Sequence, residues 1–305
     1  MDAGAVLLRL ALYLDLSLLF GLPAFAIYGV PGPARLDRPF ALRRFVVIAA
    51  GLGILLSALV LVMLAASMAG VPLGEVDRET LGMLIGGTSA GTAWIVRMAA
   101  LLLALMAVLL AHRRPKEAIW AITSAAAVAL ATLTWGGHGA MDDSWVHLLA
   151  DIVHILAAAA WIGALLGLCL LLFRRADAME PYQLLLAHRA LAGFATAGTI
   201  IVGAIIASGL INVWMVVGPA NFLTLPVTIY GQLLIAKLAL FAVMLALAAS
   251  HRFRMVPAFE QAITGGDHAG ACAALRRSLI VEGGCALAIL ALVSWLGTLD
   301  PVPMG

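Results

Sequence analysis

The sequence predicts an all-α integral membrane protein, a polytopic bundle of about eight transmembrane helices with both termini outside. Three observations carry that expectation. The 305 residues are 64% hydrophobic and only 11% charged, whereas a soluble domain carries about 25% charged residues. The apolar residues fall into eight runs, each close to the roughly 20 residues a helix needs to cross about 30 Å of hydrocarbon. The runs are continuous rather than alternating, so they read as helices and not as barrel strands.

The predicted spans run over about residues 5–28, 44–70, 91–112, 118–137, 145–173, 190–217, 228–250 and 277–298. Ala24-Phe25-Ala26 in the first run resembles a signal-peptide cleavage site. That run is long, has Asp2 rather than a basic leader as its first charge, and precedes a basic loop. It therefore reads as a first span. Residues 71–90 read as an outer segment with a short surface helix. The eight spans leave no room for a separate soluble domain, and 1–305 reads as a single transmembrane domain.

Orientation follows from the basic residues. Arg35, Arg38, Arg43, Arg44, Arg113, Arg114, Lys116, Arg174, Arg175, Arg189, Arg252, Arg254, Arg276 and Arg277 lie in or beside alternate loops, and Arg78 stands alone in the opposite ones. The positive-inside rule puts the crowded side in the cytoplasm. Trp135, Trp145 and Trp214 then fall near the outer interface, where an aromatic belt is expected. No phosphate-binding glycine loop or basic nucleic-acid patch is present. Cys169, Cys272 and Cys285 lie far apart, without C-x-x-C spacing, and read as free thiols.

The chemistry concentrates in one helix. His147, Asp151 and His154 stand at i, i+4 and i+7, which at 100° per residue places them within an arc of roughly 60°. His138 and Met141 lie on the loop just before it. Polar side chains in hydrocarbon are costly, so a cluster of good metal ligands there is a candidate site. Imidazole and carboxylate suit Cu(II) or Zn(II), and thioether suits Cu(I). His147 and His154 are about 10 Å apart along the axis, too far for one ion on a straight helix. Hydrogen bonding to neighbouring helices is the competing reading. Trp161, one heptad deeper, reads as packing or as the floor of the site.

Three other charges sit inside spans: Asp15, Arg97 and Lys237. Their similar depths predict that Asp15 is buried and paired with Arg97 or Lys237. Glu282 enters the last span from its inner end, as an inner relay or as a partner of Arg276 or Arg277. His112, His188, His251 and His268 read as solvated or interfacial on the inner side, with His188 a possible exit ligand.

Several motifs together resemble the copper resistance protein D (CopD) family of bacterial inner-membrane proteins. They are G-G-H-G at 136–139, D-I-V-H-I-L-A-A-A-A-W-I-G at 151–163, Y-G-Q-L-L-I-A-K-L-A-L-F at 230–241, and the run from Leu275 to Pro301. G-T-S-A-G-T-A-W-I-V-R at 87–97 adds to them, so the resemblance covers about residues 80–301. It implies a membrane-helical fold, a copper ion handled at the periplasmic face, and a small periplasmic copper-binding partner of the CopC type. The expectation is a non-enzymatic copper carrier that moves the ion into or across the inner membrane, with His138, His147, Asp151, His154 and Met141 as candidate ligands. A b-type cytochrome is the alternative, but His154 has no deep histidine counterpart on another span. An intramembrane metallohydrolase ranks last, because H-L-L-A-D-I-V-H lacks the glutamate base of H-E-x-x-H.

Reporter fusions test the orientation. Fusions at Arg38, Pro115, Ala178 and Gly265 are expected to read cytoplasmic, and a periplasmic signal at any of the four breaks the assignment.

Overall fold

A computed structural model describes residues 3–30, 40–136, 144–173, 181–223, 225–255, 257–258, 261 and 268–299. Among these residues it is helical throughout, with no strand. The helices are α1 (Ala3–Gly29), α2 (Leu42–Ala69), α3 (Arg78–Gly87), α4 (Ser89–Leu110), α5 (Pro115–Ala131), α6 (Trp145–Leu172), α7 (Pro181–Val216), α8 (Ile229–Ser250) and α9 (His268–Leu296). All but α3 belong to the eight candidate membrane spans, judged by length and composition. The expected eight spans are therefore present, and α3 is the short helix expected within 71–90.

Local chemistry explains the boundaries. Asp77 caps α3 by accepting from the Thr80 amide at 2.7 Å, which holds its carboxyl below the usual range. Thr88 and Thr228 cap α4 and α8 through Gly91 and Gly231, each at 3.0 Å. Pro115 opens α5, where the missing N–H costs nothing. Gly70 ends α2 at φ +67°, a conformation glycine adopts without strain, and the helix closes with its N–H on the Ala66 carbonyl. Helices α7 and α9 start well before the expected spans at 190 and 277. Hydropathy reports only the stretch in hydrocarbon, while the helical ladder continues into the polar residues before it.

Helix α6 is the centre of the bundle. It packs most extensively against α1 and α7, and also against α9 and α5. The α1–α6 crossing is set by glycine. A Cβ on Gly21 would overlap the Ala159 carbonyl and stand 2.8 Å from the Gly163 Cα, and a Cβ on Gly163 would run into the Gly21 backbone. The two backbones therefore touch directly, the close approach that small residues allow in membranes. Phe25 packs across Gly167 one turn further on. Helices α2, α4 and α5 build the other side, with α4 and α5 as an antiparallel pair. Helix α8 packs chiefly on α9, and it runs on into a π-helical turn, His251–Met255. Helices α7 and α8 keep broad apolar faces exposed, including Ile200, Leu210, Leu238 and Val243; hydrocarbon is the medium that suits them.

Because no atom can yield at the crossing without moving backbone, Gly163→Val is expected to destabilise the protein by about 1–3 kcal/mol or more. Gly51→Ala, where a Cβ meets nothing within 4 Å, is expected to be neutral. Thermal unfolding in detergent compares the two.

Candidate functional site

Helix α6 presents His147, Asp151 and His154 along one face, and α7 meets them with a polar stripe of its own. Ser208 and Asn212 are four residues apart on α7, one turn above each other. Asn212 Nδ2 donates to Asp151 Oδ1 at 2.7 Å. The other carboxylate oxygen, Oδ2, lies 3.8 Å from His147 Nε2, and His147 is only 1% exposed.

Deeper in, His154 Nδ1 is 3.1 Å from Ser208 Oγ. Ser208 has one hydroxyl hydrogen and donates it to the Ala204 carbonyl at 2.5 Å. With that hydrogen on Ala204, the hydrogen-bond pattern assigns the imidazole as donor in the His154–Ser208 bond, with the proton on Nδ1 and the lone pair on Nε2. The ring rests on glycine: a Cβ at Gly209 would stand 3.4 Å from His154 Cε1. On α8, Tyr230 and Lys237 lie within electrostatic range of Asp151, and Lys237 also acts on His154. The face thus holds one carboxylate, two imidazoles, an amide, a hydroxyl and an ammonium group. Among the described residues no three His, Cys, Asp or Glu side chains converge tightly enough to hold a metal ion. The stripe is a series of single positions rather than a closed cage. His138 and Met141 lie outside the described residues.

Two family models match the chain: "Copper resistance protein D-like, N-terminal domain" over residues 1–148, and "Copper resistance protein D" over residues 188–296. The copper resistance protein D of Pseudomonas syringae pv. tomato is 39% identical over 98% of this chain and 97% of its own length. This chain belongs to the copper resistance protein D family. The inner membrane protein YebZ of Escherichia coli K12 is 26% identical over 97% of the chain and 98% of its own length. The copper transport protein CutJ of Bacillus subtilis 168 is 30% identical over 54% of the chain, a match that spans 30% of CutJ. No solved structure matches significantly. The matches reach the first helix, further toward the amino end than the motifs from residue 80 onward.

The other intramembrane charges depart from expectation. Asp15 is buried, as predicted, but no ion pair with Arg97 or Lys237 is formed among the described residues. Its Oδ2 has no hydrogen-bond partner among the described residues and lies 2.8 Å from where a Gly53 Cβ would be. Arg97 instead donates to Thr132, through Nε to Oγ1 at 2.8 Å and through Nη2 to the carbonyl at 3.4 Å. Thr132 begins the tight turn Thr132–Gly136 that ends α5, where helical carbonyls lose their usual partners. A guanidinium fork finds acceptors there without a carboxylate. Lys237 lies within electrostatic range of Asp151 and His154.

Glu282 also differs. Neither Arg276 nor Arg277 is its partner, because residues five and six apart lie on different faces of a helix. Arg276 Nε donates to the Leu172 carbonyl at 2.7 Å and so closes the end of α6. Glu282 turns inward to Trp161 and His251. His251, read as interfacial, is 6% exposed. His112 is exposed, as read.

Sequence reasoning missed Ser208 and Asn212. Their signal was available: two polar residues at i and i+4 inside an apolar span. Solid-state 15N NMR of labelled protein is expected to find His154 as the Nδ1–H tautomer. Ser208→Ala is expected to give a tautomer mixture, and an unchanged spectrum would refute the assigned role of the hydroxyl.

Proposed function

We propose that this protein binds a copper ion at its outer face and passes it into the bundle along the His147–Asp151–His154 face of α6. The observation that carries the reading is the 3.1 Å contact of His154 Nδ1 with Ser208 Oγ. With the Nδ1 proton assigned to that bond, the Nε2 lone pair is the one left to meet a cation. Supporting hydrogen bonds of this kind orient metal-binding imidazoles and raise their basicity. Asp151, steadied by Asn212, supplies the negative charge next to it. Lys237 compensates that charge when no ion is present, so an arriving cation competes with an ammonium group already in the hydrocarbon. Successive weak positions favour movement over storage, since conduction needs sites that release as well as bind.

Family membership supports copper as the cargo. The reading makes the protein a carrier or permease-like binder rather than an enzyme, multi-pass in the bacterial inner membrane. Both termini and the entrance with His138 and Met141 are periplasmic, and a CopC-type copper-binding protein delivers the ion there.

His154→Ala tests the proposal. The fold is expected to survive, because alanine is a good helix former and the ring's neighbour Gly209 is small. Copper retained by the purified protein is expected to fall by at least roughly tenfold, the lower bound when even a supporting residue of a metal site is lost. Copper-dependent growth should change in parallel. His112→Ala serves as the control. A well-folded His154→Ala protein that retains and handles copper like wild type would reduce the stripe to structural hydrogen bonding.

A further inference from the structure

A second polar group lies one heptad deeper on α6 than His154, and the proposed copper path does not use it. It joins three spans. Trp161 comes from α6, Glu282 from α9 and His251 from the π turn that continues α8. All three are buried, at 2%, 0% and 6% exposure. Trp161 Nε1 donates to Glu282 Oε1 at 2.8 Å. The other oxygen, Oε2, lies 3.3 Å from His251 Nδ1, a close contact rather than a formed hydrogen bond. Neither Oε2 nor His251 Nε2 has a hydrogen-bond partner among the described residues. Phe194 of α7 closes over the indole edge-on, with ring centroids 6.2 Å apart.

A carboxylate in this position needs a positive charge, since an uncompensated ion in hydrocarbon is costly. No fixed cation supplies it among the described residues. Arg276 is held by the Leu172 carbonyl, and Arg252 donates to Thr199 and the Ala195 carbonyl of α7. Helix α1 brings Arg9 only at the far end, at the Gly297 carbonyl 2.6 Å away, and turns Asp15 toward Gly53. On α6, Cys169 lies within electrostatic range of Glu282, yet no third ligand completes a metal-holding group. Cys285 and Ser278 share α9 with Glu282 and carry no charge to offset it. What remains is a proton.

We propose that Glu282 and His251 form a proton-binding site that holds one proton and passes it between α9 and the end of α8. The Oε2–H bond of Glu282 breaks and its electron pair stays on the carboxylate as His251 Nδ1 takes the proton with its lone pair to form an imidazolium. The reverse transfer restores the neutral pair, so one proton is shared between the two groups. Trp161 is a positioning residue: by holding Oε1 it leaves Oε2 facing the imidazole. The site stands whether or not copper uses α6. The π turn supports it, because such turns often mark functional positions and this one carries the relaying histidine.

Infrared difference spectroscopy of the purified full-length protein across a pH range tests the site. Wild type is expected to show the carbonyl stretch of a protonated carboxylic acid that Glu282→Gln removes and Asp15→Asn keeps. Trp161→Phe is expected to shift that band's frequency, because the carboxyl loses its indole partner. His251→Gln is expected to change the pH at which the band disappears by about one unit or more, the mark of coupled groups. Should Glu282→Gln fold poorly, the His251→Gln profile decides. Carboxylic acid bands in Glu282→Gln equal to wild type at every pH overturn the proposal, as does an unchanged profile in His251→Gln. Loss of bound copper from Glu282→Gln without loss of a carboxylic acid band would make the site a metal site and overturn it too.

Discussion

The direct contact of two backbones, at Gly21 of α1 and Gly163 of α6, is the constraint on which the bundle depends. Side chains keep most helix pairs 8–10 Å apart. Here the absence of Cβ atoms removes that spacer, and α6 sinks into the middle of the fold. Once α6 is central, part of its polar face is closed off from lipid. His147 and Trp161 become almost fully buried, while the Asp151 side chain stays 26% exposed. The polar chemistry of the protein is thus a consequence of a packing event between small residues.

Several of the polar groups are then matched by helices packed alongside. Helix α7 supplies Ser208 and Asn212 to the amino-terminal half of α6, and α9 supplies Glu282 to the middle of the helix at Trp161. Unmade hydrogen bonds are expensive away from water, roughly 1–3 kcal/mol for each buried group. That pressure explains why backbone acceptors are used wherever a carboxylate is out of reach. Arg97 takes a frayed helix end and Arg276 another. The same accounting leaves Asp15 Oδ2, His251 Nε2 and Glu282 Oε2 among the buried atoms without a hydrogen-bond partner among the described residues. The two stretches of α6 therefore differ in kind. The one from His147 to His154 carries imidazoles beside a carboxylate of its own, and at Trp161 the indole meets a carboxylate and an imidazole from other helices.

Much of the fold was legible before any packing was known. Eight apolar runs of the right length became eight spans, and Asp77, Thr88 and Thr228 mark helix starts as local hydrogen bonding requires. The stripe of His147, Asp151 and His154 was legible because helical periodicity is a property of one segment. The partners were not. Asp15 with Arg97 looked sound from similar depth, but depth says nothing about azimuth, and Arg97 turns to Thr132 on α5. His251 looked interfacial from its place near a basic loop, whereas the π turn carries it inward to Glu282.

The sequence by itself determined the medium, the number of spans and which face of α6 is polar, because all three follow from hydropathy and a fixed 100° step. Only the tertiary structure decided what each polar atom meets. That depends on which helices adjoin and how each is rotated about its axis. Rotation is set by contacts such as Gly21 on Gly163 and Phe25 on Gly167, between residues far apart in the chain. Small residues such as Gly163 and Gly167 mark in the sequence a face that a neighbour can approach closely, but which neighbour fills it, here Gly21 and Phe25 of α1, is decided only by the packing.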